Sequence, residues 1–202
     1  LGTSSNSLGI AGNSLVHATC TDGSIYLHGL GALTVQEATT NGGTAEILSD
    51  GTLTATTINA QLANLQASSG GIAATAINAT NGATLLATAG DINTGTLTST
   101  GDVSINAADG HVILGQVTAS GETATINVQA SGSITEDSDP TADLDAGGLI
   151  TLSAGSGLGT SSNSLGIAGN SLVHATCTDG SIYLHGLGAL TVQEATTIGG
   201  TA

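Results

Sequence analysis

The sequence predicts an all-β protein, a parallel β-solenoid (β-helix) whose coils of about 20 residues stack into a rod. Three observations carry this prediction. Short apolar segments alternate residue by residue, turn glycines recur at intervals close to one coil length, and a long stretch of the chain occurs twice. One coil cannot bury its own apolar face, so successive coils must cover one another.

The long repeat is nearly perfect. Residues 1–45 return as residues 158–202, 157 residues downstream, and Asn41 against Ile198 is the single difference. Such a faithful copy is what tandem duplication leaves in an array. We therefore expect residues 1–157 to form one full solenoid repeat and residues 158–202 to begin the next, in one continuous rod. The chain is expected to be a window on a longer fibrous protein.

Strand signals follow one another along the chain with Gly, Asn or Asp between them. No stretch carries an apolar stripe at helical spacing. The segments with the clearest alternation are Leu33–Val35, Leu53–Ala55, Ile72–Ala76, Val103–Ala107, Val112–Leu114, Ile126–Ala130 and Leu149–Leu152.

Turn glycines give the coil register. Seven of eight such glycines are followed, two residues later, by an aliphatic residue, and only Gly157 breaks the rule. An aliphatic at one offset predicts that like side chains stack on like from coil to coil. The glycines are Gly23, Gly51, Gly70, Gly90, Gly110, Gly132, Gly157 and Gly180, spaced by 28, 19, 20, 20, 22, 25 and 23 residues.

This register predicts seven coils per 157-residue repeat. At the spacing of paired strands, ~4.8 Å, the repeat would be ~34 Å long. The 28 residues from Gly23 to Gly51 leave room for an additional partial coil, and the repeat would then measure nearer ~38 Å.

Composition narrows the function. The chain has 15 Asp and Glu against no Lys or Arg, a formal charge of −15. Nucleic acid and anionic membranes are bound through Lys and Arg, so neither is an expected partner. No apolar run reaches the length of a membrane span, so no direct membrane insertion is expected. Enzymes of β-helix fold that act on polysaccharides also use Lys or Arg, and we predict no catalytic site.

The core must be built from small side chains, because the chain has two Tyr and no Phe or Trp. A single proline and abundant Ile, Val and Thr argue against disorder. Threonine-rich strands at 52–57 and 94–101 raise an ice-binding alternative. Coils of 19 to 28 residues disfavour it, because a flat ice-binding face needs a regular period.

The two cysteines, Cys20 and Cys177, occupy the same place in the two copies. Seven coils would separate their Cα atoms by ~34 Å, far beyond the ~7 Å limit of a disulfide. Alternation with Val16 and Ala18 predicts that the sulfur points inward. A buried thiol and a cross-link between neighbouring fibres are the two interpretations.

Outward positions hold the other candidate side chains. Alternation predicts that His17, Tyr26 and His28 point outward and share one exposed face, as do their copies His174, Tyr183 and His185. This face is predicted either to be merely solvated or to make a metal or inter-fibre contact. No third ligand at metal spacing accompanies the histidines.

The densest charge lies in the segment EDSDPTADLD, which is predicted to be a loop protruding from the rod because of its proline and the length of its coil. Its carboxylates repel one another, and Ca²⁺, which accepts six to eight oxygen ligands, would relieve that repulsion. No calcium-binding sequence pattern is present, so a solvated loop is the alternative. The five candidate ligands are Glu136, Asp137, Asp139, Asp143 and Asp145.

Residues 101–137, 142–169 and 22–35 carry units of the form G-D-V-x-I-x-A and G-S-I-T. In these units the chain resembles filamentous-haemagglutinin-like giant bacterial adhesins and related β-strand-repeat surface proteins. The resemblance implies a right-handed parallel β-helix, secretion by a bacterium to the cell surface or beyond, and a role in adhesion, biofilm or sheath structure. The lack of Lys and Arg departs from that family and argues against binding of sulfated or acidic sugars.

We therefore predict a structural protein, a segment of an extracellular fibre, adhesin stalk or sheath whose partners are copies of itself. The alternative is an adhesive module that binds glycans or calcium. Apart from calcium, no cofactor is expected.

Overall fold

The computed structural model describes residues 1–137, 141–169 and 171–202. Within these ranges the chain is all-β and forms a parallel β-solenoid of about nine turns, as predicted. No described segment is a helix, so none could cross a membrane as one. The strands are β1 Leu8–Ala11, β2 Ser14–Cys20, β3 Ile25–Leu30, β4 Leu33–Thr40, β5 Thr44–Ser49, β6 Leu53–Ala67, β7 Ile72–Ala87, β8 Ile92–Ser99, β9 Asp102–Ala107, β10 Val112–Leu114, β11 Val117–Ala119, β12 Ile126–Ala130, β13 Ser133–Glu136, β14 Leu144–Ala146, β15 Leu149–Ala154, β16 Gly157–Leu158, β17 Leu165–Ala168, β18 Leu172–Cys177, β19 Leu184–Leu187 and β20 Thr191–Thr197.

Each coil has two sides, which we define by their strand pairing. Side A stacks β2, β4, the first half of β6 and of β7, β8, and then the pairs β10–β11, β13–β14 and β16–β17, followed by β19. Side B stacks β1, β3, β5, the second half of β6 and of β7, β9, β12, β15, β18 and β20. The strands β6 and β7 run round the corner between the sides.

The interior is made of columns of identical or similar side chains. Aliphatic residues stack on side A at the offset predicted from the turn glycines, and burying each one contributes about 1.5–3 kcal/mol. After the exceptional Gly157, Leu158 restores the column, pairing with Ile134. The column consists of Leu33, Leu53, Ile72, Ile92, Val112, Ile134 and Leu158, all buried.

Side B has a matching pair of columns. One is aliphatic and comprises Leu27, Ile47, Leu65, Leu85, Ile105, Val128 and Leu152. The other lies where the strand reaches the corner, and its residues are small because the backbone bends there. It comprises Ser49, Ala67, Ala87, Ala107, Ala130, Ala154 and Cys177.

The two copies of the repeated sequence lie on opposite sides of the solenoid. The segment SLVHATC is on side A in the first copy, as β2, whereas LVHATC is on side B in the second, as β18. The neighbouring segment exchanges sides in the other sense, from β3 on side B to Ile182 and β19 on side A. Ile25 therefore does not join the side A column, although it has the predicted offset from its glycine.

This exchange corrects the predicted coil count. Seven register steps lead from Ser14 to Leu158, which takes 144 residues. The copy of Ser14 is Ser171, 13 residues further along and next to β18 on side B. The repeat is thus about half a coil longer than seven coils, and the physical reason is the 28-residue segment from Gly23, which holds one coil and part of another. Its length is ~36 Å, between the two predicted values.

Local structure within the copies is nevertheless the same. Leu8 pairs with Leu27 as Leu165 pairs with Leu184. The register shift after Val16 recurs after its copy in β18. The two copies therefore have the same local structure, and the second copy is rotated by half a turn around the rod axis relative to the first.

Candidate functional surfaces

Three of the five histidines pair with carboxylates of the next coil. His17 Nε2 lies 3.2 Å from Glu37 Oε2, and His174 Nε2 lies at the same distance from Glu194 Oε2. His28 Nε2 lies 2.8 Å from Asp50 Oδ1. All three pairs are solvent-accessible, so each contributes only ~0.2–1 kcal/mol. Their role is to join successive coils at the surface.

The predicted shared face of His17, Tyr26 and His28 is divided by the fold. His17 belongs to β2 on side A, whereas Tyr26 and His28 belong to β3 on side B. A corner of the coil at 21–24 separates the two strands. The alternation of apolar and polar residues does not reveal this corner. In the second copy His174 is on side B, and Tyr183 and His185 fall on side A. Inter-fibre contact through these residues stays a prediction, and it would involve both sides of the rod.

The acidic segment is partly built into the wall of the solenoid. Glu136 ends β13 and is buried, and Asp143 is buried and accepts a hydrogen bond from the Gly166 N–H of the next coil. Asp145 lies in β14 and is exposed. Asp137 is exposed and donates its backbone N–H to Leu114 O at 2.9 Å.

The predicted protruding loop therefore does not extend to Asp143 and Asp145, because β14 pairs with β11 and brings them into the stack. Asp139 lies outside the described residues. Among those that the structure describes, no three His, Cys, Asp or Glu side chains are grouped as a metal site. Calcium binding by this segment stays a prediction.

A ladder of polar side chains on side A was not predicted from the sequence. Asn59 Nδ2 donates to Thr39 Oγ1 at 3.1 Å, and Asn78 Nδ2 donates to Asn59 Oδ1 at 2.9 Å. Thr98 Oγ1 continues the ladder by donating to Asn78 Oδ1 at 2.8 Å. The signal for it was the recurrence of Asn at the coil spacing, 19 residues apart. These bonds run along the rod axis and reinforce the backbone pairing.

A shallow groove of about 360 Å³ lies on the outward face of side B. The carboxylate of Glu46 and the amides of Asn64 and Gln66 supply polar groups, and Leu48 and Leu86 supply apolar ones. This chemistry suits a neutral ligand rich in hydroxyl groups. No aromatic ring lines the groove.

The two cysteines differ in environment although their local sequences are identical. Cys177 is buried in the small-residue column of side B, and this burial raises the pKa of its thiol. A backbone hydrogen bond from Asp179 acts in the opposite direction, and the carboxylate of Asp179 adds to the rise of the pKa. Cys20 is half-buried in the first coils, and its thiol donates to Asp22 O at 3.5 Å. Neither forms a disulfide, and the fibre cross-link stays a prediction.

This contrast predicts unequal alkylation. In the folded protein at pH 8, iodoacetamide should modify Cys20 at least about tenfold faster than Cys177, because the reagent needs an accessible thiolate. The raised pKa also makes stability depend on pH. Because burial raises the pKa of the Cys177 thiol above its ordinary value of 9.0, the folded state is favoured below that pH, and this stabilisation is lost as the pH rises through the folded-state pKa. Peptide mass spectrometry would measure both rates.

The control is the same reaction in urea, where the shared sequence around both residues predicts equal rates. Equal rates in the folded protein would contradict the different burial of the two copies.

These surfaces and the fold define the class of the protein, a parallel β-solenoid repeat protein whose outward residues connect coil to coil. Comparisons with models of protein families, with curated proteins and with solved structures found no match to this chain.

Proposed function

We propose that the protein is a structural rod, a segment of an extracellular bacterial fibre, adhesin stalk or sheath built from tandem 157-residue repeats. The observation that carries the proposal is the continuity of both ladders. On side B the parallel pairing runs from β1 in the first copy to β20 in the second without a break. The length of such a rod is set by the number of its repeats, and every added repeat extends it.

The mechanism is mechanical. Backbone hydrogen bonds lie along the axis, so each coil is joined to the next by a row of them on both sides. The interior columns bury an aliphatic side chain at each coil, and the Asn ladder adds axial bonds on the surface. The charge of −15 keeps neighbouring rods soluble. Without Lys or Arg, the chain offers no cleavage site to trypsin-like proteases.

A second candidate, an adhesive module that binds a neutral glycan, is favoured by the groove at Glu46, Asn64 and Gln66. Calorimetric titration with neutral oligosaccharides separates the two. Binding that saturates at one ligand per repeat, and that Asn64→Ala weakens, would favour adhesion over a passive rod.

The test of the rod is the length of concatemers. Chains of two, four and six repeats should appear in cryo-microscopy as straight rods that lengthen by ~36 Å per repeat, with a ~4.8 Å axial spacing. The coil stacking fixes both values. Compact domains joined by linkers like beads would overturn the proposal.

A further inference from the structure

The chain contains two Asn-Gly pairs, and the fold places them in opposite settings. Asn41 and Gly42 lie in the corner between β4 and β5, whereas Asn81 and Gly82 lie within β7. In an Asn-Gly pair the asparagine side chain is open to attack by the next backbone nitrogen, because glycine has no Cβ to obstruct the approach. The two pairs share this chemistry, and the structure around each decides how fast it proceeds.

The corner at Asn41 is open. Asn41 and Gly42 are both exposed, Gly42 has a φ of 129°, and a Cβ on Gly42 would meet no atom within 4 Å. The next residue, Gly43, is held between two coils. Its carbonyl oxygen accepts a hydrogen bond from the Gln61 N–H at 2.9 Å, and it packs closely against the backbone of Gly23. The corner thus lies inside the stack, with a coil on each side, and still exposes its Asn-Gly pair to water.

The pair at Asn81 is closed. Gly82 is buried and pairs with Leu62 in the preceding coil and with Asp102 in the following one. The carbonyl oxygen of Asn81 lies so close to Gly101 that a Cβ there would overlap it. Attack by the Gly82 nitrogen requires water at that nitrogen and rotation of the Asn81 backbone. Pairing on both sides prevents these changes until the strand opens locally.

We propose that Asn41 is a site of spontaneous covalent modification, at which it is converted to aspartate and isoaspartate, and that the stack protects Asn81 from the same reaction. The Gly42 nitrogen forms a bond to Asn41 Cγ, and the bond from Cγ to the side-chain nitrogen breaks. The side-chain nitrogen leaves as ammonia with the proton that the Gly42 nitrogen gives up. Water then opens the five-membered imide at either of its carbonyls. One water is consumed, one ammonia is released, and nothing is oxidised or reduced.

The two products differ in what they do to the corner. Each adds one negative charge to a chain whose formal charge is −15. Isoaspartate also lengthens the main chain by one carbon, directly before Gly43, where the backbone is packed against Gly23. The isoaspartate form should therefore disturb the pairing of β5 with its neighbours, whereas the aspartate form should not. This property goes beyond the proposed structural function, because it gives the rod a corner that changes with age.

The second copy of the repeated sequence lacks this chemistry. Ile198 stands at the position of Asn41, and it is the single difference between the two copies. The variant Asn41→Ile thus introduces a residue that the chain already carries before the same Gly-Gly pair, and it removes the reactive amide.

The test incubates the folded 202-residue chain in mildly alkaline buffer, digests it with pepsin and follows both Asn-Gly peptides by mass spectrometry. The amide of Asn41 should be lost at least about tenfold faster than that of Asn81, because reaction at Asn81 must wait for local opening of the strand. The product at Asn41 should separate into two chromatographic peaks, aspartate and isoaspartate. In urea, where the stack is lost, the two amides should be lost at similar rates.

Two variants complete the design. Asn41→Ile should remove the early product, and Asn41→Asp supplies the added charge without the longer main chain. The aged natural chain should therefore unfold at a lower urea concentration than freshly prepared Asn41→Asp, and equal midpoints would overturn the effect assigned to isoaspartate. Equal loss of both amides in the folded chain, or an Asn41 that persists there while it reacts in urea, would overturn the modification site itself. The rod proposal is tested separately, because none of these outcomes changes the length of a concatemer.

Discussion

Leu85→Asp is expected to abolish cooperative folding of the solenoid. Leu85 is fully buried in the side B column between Leu65 and Ile105. Removing a buried leucine costs about 2–5 kcal/mol. An unpaired buried carboxylate costs several kcal/mol more, against a total stability of about 5–15 kcal/mol for a typical domain. Circular dichroism during urea unfolding would show the loss of the transition.

Thr84→Asp is the matched control. Thr84 is the neighbouring residue on the same strand, points outward and is exposed. The two variants have the same net charge, so any general electrostatic effect is shared. Thr84→Asp should change the free energy of unfolding by no more than about 0.5 kcal/mol. If both variants unfolded alike, the assignment of inward and outward faces on β7 would be wrong.

Gly101→Ala is expected to destabilise the stack by about 1–3 kcal/mol through overpacking. Gly101 lies at the corner between side A and side B, and a Cβ there would overlap the carbonyl oxygen of Asn81 in the preceding coil. The obstacle is backbone, which cannot rotate away as a flexible side chain can. The midpoint of urea unfolding measures the effect.

Gly9→Ala provides the comparison for this substitution. A Cβ at Gly9 meets no atom within 4 Å, and Gly9 is not among the residues with positive φ. The variant should be neutral or gain up to about 1 kcal/mol, because alanine restricts the unfolded chain. Gly101→Ala as stable as Gly9→Ala would mean that the corners of successive coils are not in contact.

Much of the fold could be predicted because the structure of a solenoid repeats with every coil, so a short sequence period is enough to reveal it. The aliphatic at a fixed offset from the turn glycines identified Leu53, Ile72, Ile92, Val112 and Ile134 as one interior column, and they are buried as such. Alternation likewise predicted that the sulfur of Cys177 points inward. These features depend on residues within one coil or its immediate neighbours.

The surface was predicted less well, because each outward residue is placed by a corner or a register shift. The corner that follows β2 carries His17 and Tyr26 to different sides. The buried Asp143 depends on a hydrogen bond from Gly166, 23 residues away. No local sequence pattern predicts either of these features.

By itself, the sequence determined the parallel stacking, the composition of the columns, the absence of fixed cations and the near-identity of the two copies. Only the tertiary structure decided which side of the rod each copy occupies. The reason is that both sides require the same sequence pattern, in which alternate residues point inward and the last of them, at a corner, has a small side chain. Cys20 and Cys177 satisfy that pattern equally, at corners on opposite sides. The choice between the sides is made by the summed length of all the coils between the copies, a property that no single segment holds.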